Sequence, residues 1–198
     1  RSPTFCPSLR ALWSPLCATL RQHALFLAGD RNGSMALRLA LDILDVPRVT
    51  PIAVILAANA PALASHPVGN YVVQHLLAIP AEKEEWREEV IAEVLARLRG
   101  SFVELSKQKY SSNVVEKAVA DSAVMGRREV FEELLEVSAI AQLLENHFGT
   151  YVLQKTLQSL KPEERRKVDA EVQSSFYMMG GRGTSLLSKW KQIMSRIA

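Results

Sequence analysis

Gly69-Asn70-Tyr71-Val72-Val73-Gln74, Ser111-Ser112-Asn113-Val114-Val115-Glu116 and Gly149-Thr150-Tyr151-Val152-Leu153-Gln154 are three writings of one short pattern. Each has a small residue, a polar residue, a flat residue, two aliphatics, and an amide or acid. A weaker fourth copy, Gly33-Ser34-Met35-Ala36-Leu37-Arg38, lies upstream. Counted from Ser34, the copies return after 36, 42 and 38 residues, the period of helical repeat proteins. Such a period predicts a stack of like units that bury their apolar faces only against one another.

Helix signals fill the space between the copies. Thr50-Pro51 reads as an N-cap followed by proline at the first helical position. Pro80 leads into a Glu-rich turn, which suits the positive end of a helix. Trp86, Val90, Ile91, Val94, Leu95 and Leu98 recur every three to four residues, and Gly100 closes that helix. Pro162-Glu163-Glu164 opens another, with Val168 and Val172 facing inward. No useful stretch alternates with period two, so the fold class is all-α. Each unit reads as a packing helix, a tight turn, a short motif helix and a connecting helix. The units fall near residues 14–50, 51–79, 80–122 and 123–160. Residues 161–198, with Met178 to Trp190 at their centre, read as a degenerate capping repeat. The chain opens on Arg1 with a shortened first unit, so it reads as part of a larger array.

The 198 residues are 48% apolar and 23% charged, the balance of a folded chain. No run of about 18 apolar residues exists, so no membrane-spanning helix is expected. The formal net charge is +3, compatible with nucleic acid without demanding it. Residues 51–150 carry 9 Lys/Arg against 14 Asp/Glu, and residues 151–198 carry 9 against 4. The run Glu82-Lys83-Glu84-Glu85-Trp86-Arg87-Glu88-Glu89 reads as a solvated helix face. Cys6 and Cys17 are too few for a disulfide framework, and His23 does not complete a zinc set with them. No metal and no cofactor is expected. Gly180-Gly181-Arg182-Gly183-Thr184-Ser185 lacks the lysine of a phosphate loop and follows no strand. His23, His66, His75 and His147 show no nucleophile–base spacing. His66 and His147 read as one structural turn position in two repeats. No catalytic residue is assigned, and an enzyme is not expected.

Within a helix, positions i and i+4 share a face. Asn70 with Gln74, Ser112 with Glu116, Thr150 with Gln154 and Ser34 with Arg38 therefore form side-by-side polar pairs. Tyr71, Asn113, Tyr151 and Met35 project beside them, and the two aliphatics point inward. Packing alone does not require an amide or acid at the same place in each unit. A flat side chain beside a polar pair can stack on an unpaired base and read its Watson–Crick edge. A carboxylate only accepts, so Glu116 suits the two neighbouring N–H donors of guanine. The amides of Asn70 and Gln74 match the mixed edge of uracil. The donor-only fork of Arg38 would suit cytosine.

His66 to His75 and Lys109 to Lys117 resemble the sixth and seventh repeats of a Pumilio/PUF RNA-binding domain. Asn146 to Lys155 resembles the eighth, and Asp30-Arg31-Asn32-Gly33 with Ser34, Met35 and Arg38 is similar to the fifth. The likeness runs from about Trp13 to Trp190. It implies a right-handed α-solenoid of three-helix repeats, a crescent holding single-stranded RNA on its concave face. The RNA would run antiparallel to the protein. Asn70/Gln74 with Tyr71 would then read uracil, and Ser112/Glu116 with Asn113 would read guanine. Thr150, Tyr151 and Gln154 would face the 5′ base, normally uracil, which completes a UGU core. Thr150 stands where the family usually has asparagine. Met35 replaces a planar or arginine stacking residue, and Ser34/Arg38 is not the usual pair for adenine.

The resemblance implies a cytoplasmic regulator of mRNA that binds 3′ untranslated regions and represses translation, with the convex face left for protein partners. Two alternatives stay open. One is a nucleolar ribosome-assembly factor binding rRNA by shape and phosphate contacts, motivated by the basic C-terminal segment. The other is a protein-binding solenoid.

Overall fold

The computed structural model describes residues 7–79, 84–120 and 127–197. Among the described residues all regular structure is helical, in the order α1 (Pro7–Gln22), α2 (Ala24–Gly29), α3 (Arg31–Ile43), α4 (Val46–Ala58), α5 (Ala60–Ala64), α6 (Asn70–Leu77), α7 (Glu84–Leu98), α8 (Phe102–Ser106), α9 (Ser111–Ala120), α10 (Arg127–Leu134), α11 (Val137–Leu144), α12 (His147–Gln158), α13 (Pro162–Met178) and α14 (Gly181–Ile197). The first twelve fall into four triples, each with a leading helix, a short second helix, and a third helix that carries the motif. The third helices α3, α6, α9 and α12 pack in sequence on one another, and α14 follows against α12. This is an all-α solenoid.

One apolar core runs the length of the stack, from Ala24 to Ile193. Each motif helix drives its share inward through the two aliphatics. Val72, Val73, Val114, Val115, Val152 and Leu153 are all fully buried, and each contributes about 1.5–3 kcal/mol by leaving water. In the first triple Leu37 is buried but Ala36 is exposed.

The helix starts differ from the sequence reading in one place. α4 opens at Val46 behind Asp45, with Pro47 in its first turn and Pro51 inside the helix. Thr50 does not cap; its hydroxyl donates to the Val46 carbonyl at 2.8 Å. The packing stretch is also broken in two at Asn59, whose side chain donates to the Ile55 carbonyl at 2.8 Å. Gly100 closes α7 with a φ of 76°, the left-handed conformation glycine adopts without a Cβ penalty. The Glu133 carboxylate on α10 reaches across to accept from the backbone N–H groups of Gly100 and Val103, at 2.8 and 3.3 Å. It thereby caps α8 from the next unit. Pro80 lies outside the described residues. In the acidic run that follows it, Trp86 and Arg87 are buried, and Arg87 donates to the Ile79 carbonyl at 2.7 Å. That run is only in part a solvated face.

Candidate nucleic-acid interface

A close crossing of the second and third helices sets the motif in place. A Cβ on Gly33 would lie 2.5 Å from the Leu27 carbonyl oxygen, and one on Gly149 would lie 3.0 Å from that of Leu143. In the third unit a serine takes the position: Ser111 is buried, and its hydroxyl donates to the Leu105 carbonyl at 2.7 Å. A small residue is needed because two backbones meet there. In three of the four units the turn before the motif is locked by an acceptor. Asp30 Oδ1 accepts from the Gly33 N–H at 2.7 Å, and Asn146 Oδ1 from the Gly149 N–H at 2.9 Å. In the second unit His66 Nδ1 accepts from the Gly69 N–H at 3.0 Å, which places the ring proton on Nε2.

His66 therefore corresponds to Asn146 and not to His147. The pairing of the two histidines was off by one residue, because the glycine, not the histidine, fixes the register. His147 does something else. Its ring meets that of Tyr151 edge-on, 5.3 Å between centroids at 87°. It also meets Phe148 at 5.4 Å and 72°. Such edge contacts hold a ring in one orientation.

The first members of the polar pairs turn back into the protein. Ser34 donates to the Arg31 carbonyl at 3.0 Å, Ser112 to that of Lys109 at 3.5 Å, and Thr150 to those of Asn146 and Leu143 at 2.9 and 3.2 Å. Asn70, with 1% of its surface exposed, donates both amide protons to the carbonyls of His66 and Pro67. The sequence reading of two equivalent partners per pair needs this correction: one member is held, the other presents. Arg38, Gln74, Glu116 and Gln154 are half-buried and presented at the surface. Gln74 Nε2 donates to Asn70 Oδ1 at 2.9 Å. This leaves Gln74 one N–H and its carbonyl for an outside partner.

The flat residues stand out beside them. Met35, Tyr71 and Tyr151 are each more than half exposed, and Asn113 is exposed. The Arg38 guanidinium lies 5.9 Å from the Tyr71 ring centroid, so the first and second units meet along this face. So do their flanks, where His75 Nε2 sits 2.9 Å from Asp42 Oδ1. Burial pushes the Glu116 carboxyl above its ordinary value, and the charge of Lys155 on the next motif helix partly offsets that. Sequence reasoning missed His147 and Lys155: His147 reads as a turn residue but lies inside α12, four residues before Tyr151, and Glu116 faces Lys155 from the preceding unit. Neither of two surface clefts, one between α1 and α4 and one beside α8, α10 and α11, is lined by any of these residues. Among the described residues no group of three or more His, Cys, Asp or Glu could hold a metal, and no helix is long and apolar enough to cross a membrane. Cys17 is a free thiol; Cys6 lies outside the described residues.

The fold and this face define a helical-repeat solenoid with one presented polar residue and one projecting side chain per unit. The description of the Pumilio-family RNA binding repeat matches residues 59–83, 101–135 and 140–168. Pumilio homolog 12 of Arabidopsis thaliana is 32% identical over 139 residues, covering 70% of this chain and 22% of that protein. Pumilio homolog 18 of the same plant is 34% identical over 144 residues, 70% of this chain and 41% of its own length. Among solved structures, the Puf4 RNA binding domain bound to an HO endonuclease RNA 3′ UTR recognition sequence superposes with a TM-score of 0.72. It is 24% identical, over 87% of this chain and 55% of that one. PUF-8 in complex with PBE-RNA gives 0.72 at 21% identity, over 89% and 52%. The chain thus spans less than half of these curated relatives and about half of the solved domains. It carries Pumilio-family RNA binding repeats and belongs to the Pumilio family.

Proposed function

We propose that this chain binds single-stranded RNA, one base per repeat, along the face made by α3, α6, α9 and α12. The observation that carries the reading is the register of that face. Four consecutive, mutually packed helices each offer a half-buried polar side chain at one position and an exposed side chain three residues before it. Successive bases can then slot between the projecting residues while the polar side chains meet their edges.

With RNA antiparallel to the chain, Tyr151 and Gln154 meet the first base, Asn113 and Glu116 the second, and Tyr71 and Gln74 the third. The Glu116 carboxylate accepts from the two N–H groups of guanine, and Gln74 offers the donor and acceptor that uracil requires. The core is U-G-U. Met35 and Arg38 take the fourth base, with cytosine favoured by the guanidinium fork. Ser34, Asn70, Ser112 and Thr150 act by fixing their turns and, at Asn70, by orienting the reader. The physiological setting would be a 3′ untranslated region of cytoplasmic mRNA, with post-transcriptional repression as the outcome. Selection from a random RNA pool, then titration of the winner across a salt series, tests this. A UGU-containing winner with strong base preference supports it. Steep salt dependence without base preference favours rRNA held through phosphates.

A further inference from the structure

Gly183-Thr184-Ser185-Leu186-Leu187-Ser188-Lys189 repeats the spacing of Gly149-Thr150-Tyr151-Val152-Leu153-Gln154-Lys155, 34 residues later. The structure repeats with it. Gly183 is buried, and a Cβ there would lie 1.8 Å from the Phe176 carbonyl oxygen, the same kind of backbone crossing as at Gly149. The Thr184 N–H donates to the Gly180 carbonyl at 3.0 Å, and its hydroxyl reaches the same oxygen at 3.3 Å. Thr150 makes the same two bonds to Asn146, at 3.0 and 2.9 Å. Leu186 is buried and Leu187 half-buried, while Thr184, Ser185, Ser188 and Lys189 are exposed. α14 packs on α12 and α11 as α12 packs on α9 and α8. Arg182, in its first turn, pairs with Glu145 at 3.0 Å, beside the turn that opens α12. α14 is therefore a fifth motif helix in the same row, entered from the single long helix α13.

Its chemistry differs from the other four. Ser185 gives no stacking surface and Ser188 no amide, so neither a base plane nor a base edge is recognised. Two hydroxyls and the Lys189 ammonium remain. These suit ribose hydroxyls and a phosphate, not a base. We propose that α14 holds the sugar–phosphate of the nucleotide immediately 5′ of the first read base, without choosing that base. The proposal rests on the RNA reading above.

The test compares one UGU-containing oligonucleotide with versions extended by a single 5′ nucleotide, carrying each of the four bases in turn. Each extension is expected to tighten binding about threefold, the size of one exposed ionic contact, whatever the base. It is also expected to steepen the salt dependence by about 0.7 in log–log slope. Lys189→Ala should remove most of the gain and leave binding of the unextended oligonucleotide unchanged. Ser185→Tyr with Ser188→Gln copies the α12 set onto exposed positions, and should give the added nucleotide the base preference seen opposite Tyr151. Binding of the core with no gain from any extension overturns the proposal alone, as does a base preference in the unaltered chain or no new preference in the double variant. Failure to bind the unextended oligonucleotide overturns the RNA reading and this proposal together.

Discussion

Gln74 on α6 donates from Nε2 to Oδ1 of Asn70, one turn earlier, at 2.9 Å, while Asn70 spends both of its own amide protons on the turn behind it. The two amides of this pair therefore have different tasks. Asn70→Ala strips partners from two turn carbonyls and should cost about 1–3 kcal/mol of stability in chemical denaturation. Gln74→Ala removes a presented side chain and one donor to Asn70 Oδ1; it should cost less, about 0.5–1 kcal/mol, yet abolish the choice of uracil at the third base. Equal stability losses in the two variants would contradict this division.

The crossing beneath the motif makes a second, purely structural prediction. Gly33→Ala places a Cβ 2.5 Å from a backbone oxygen that no side-chain rotation can move. It should lower stability by about 1–3 kcal/mol. Ser111→Ala forfeits only the bond to the Leu105 carbonyl, about 1 kcal/mol. Thermal or urea unfolding of the two variants ranks them. A Gly33→Ala chain as stable as the parent would show that α2 can slide away from α3.

Much of this was legible in the sequence. The period, the helical class and the spacing of the polar and exposed positions follow from residues that recur, and the structure lines these positions up on consecutive helices. What failed depends on context. Pro51 looked like a helix start because proline suits a first turn, but Asp45 had already opened the helix. The His66–His147 equivalence failed because a histidine has no steric demand that fixes a register, whereas the glycine at a backbone crossing does. Ser34, Asn70, Ser112 and Thr150 face the turn for a reason no periodicity reports: each side-chain donor reaches a carbonyl of the turn three or four residues earlier. The contacts between units, Asp42 with His75 and Glu133 with the start of α8, join residues more than 30 positions apart. They depend on how the units stack.

Tyr151 carries the third prediction. Tyr151→Ala should weaken binding of a UGU oligonucleotide by about 1–3 kcal/mol, the contribution of one stacked base. His147→Ala keeps the ring but removes its edge-on support, so its loss should be smaller, about 0.5–1.5 kcal/mol. Fluorescence-anisotropy titration of both variants checks the order. A larger loss at His147 than at Tyr151 would make His147 the contact.

Acidity gives the fourth. Only the ionised Glu116 can accept both N–H groups of guanine, and burial has pushed its carboxyl upward in the free protein. As pH falls through that raised value the acceptor is lost, so guanine selection should fade at a higher pH than an ordinary glutamate would allow. The same shift means the folded chain binds this proton more tightly than the unfolded chain. Ionised Glu116 therefore weakens the free fold near neutrality, and Glu116→Gln should leave the melting temperature at pH 7 unchanged or raised. A lower melting temperature in that variant would contradict the burial argument.

The most direct test is selection from a randomised RNA pool with the parent chain and with Glu116→Gln, side by side. The account predicts that the parent enriches U-G-U and that the variant loses guanine at the second position while keeping both flanking uracils. Unchanged guanine in the variant, or preferences altered at all three positions together, would contradict one base per repeat.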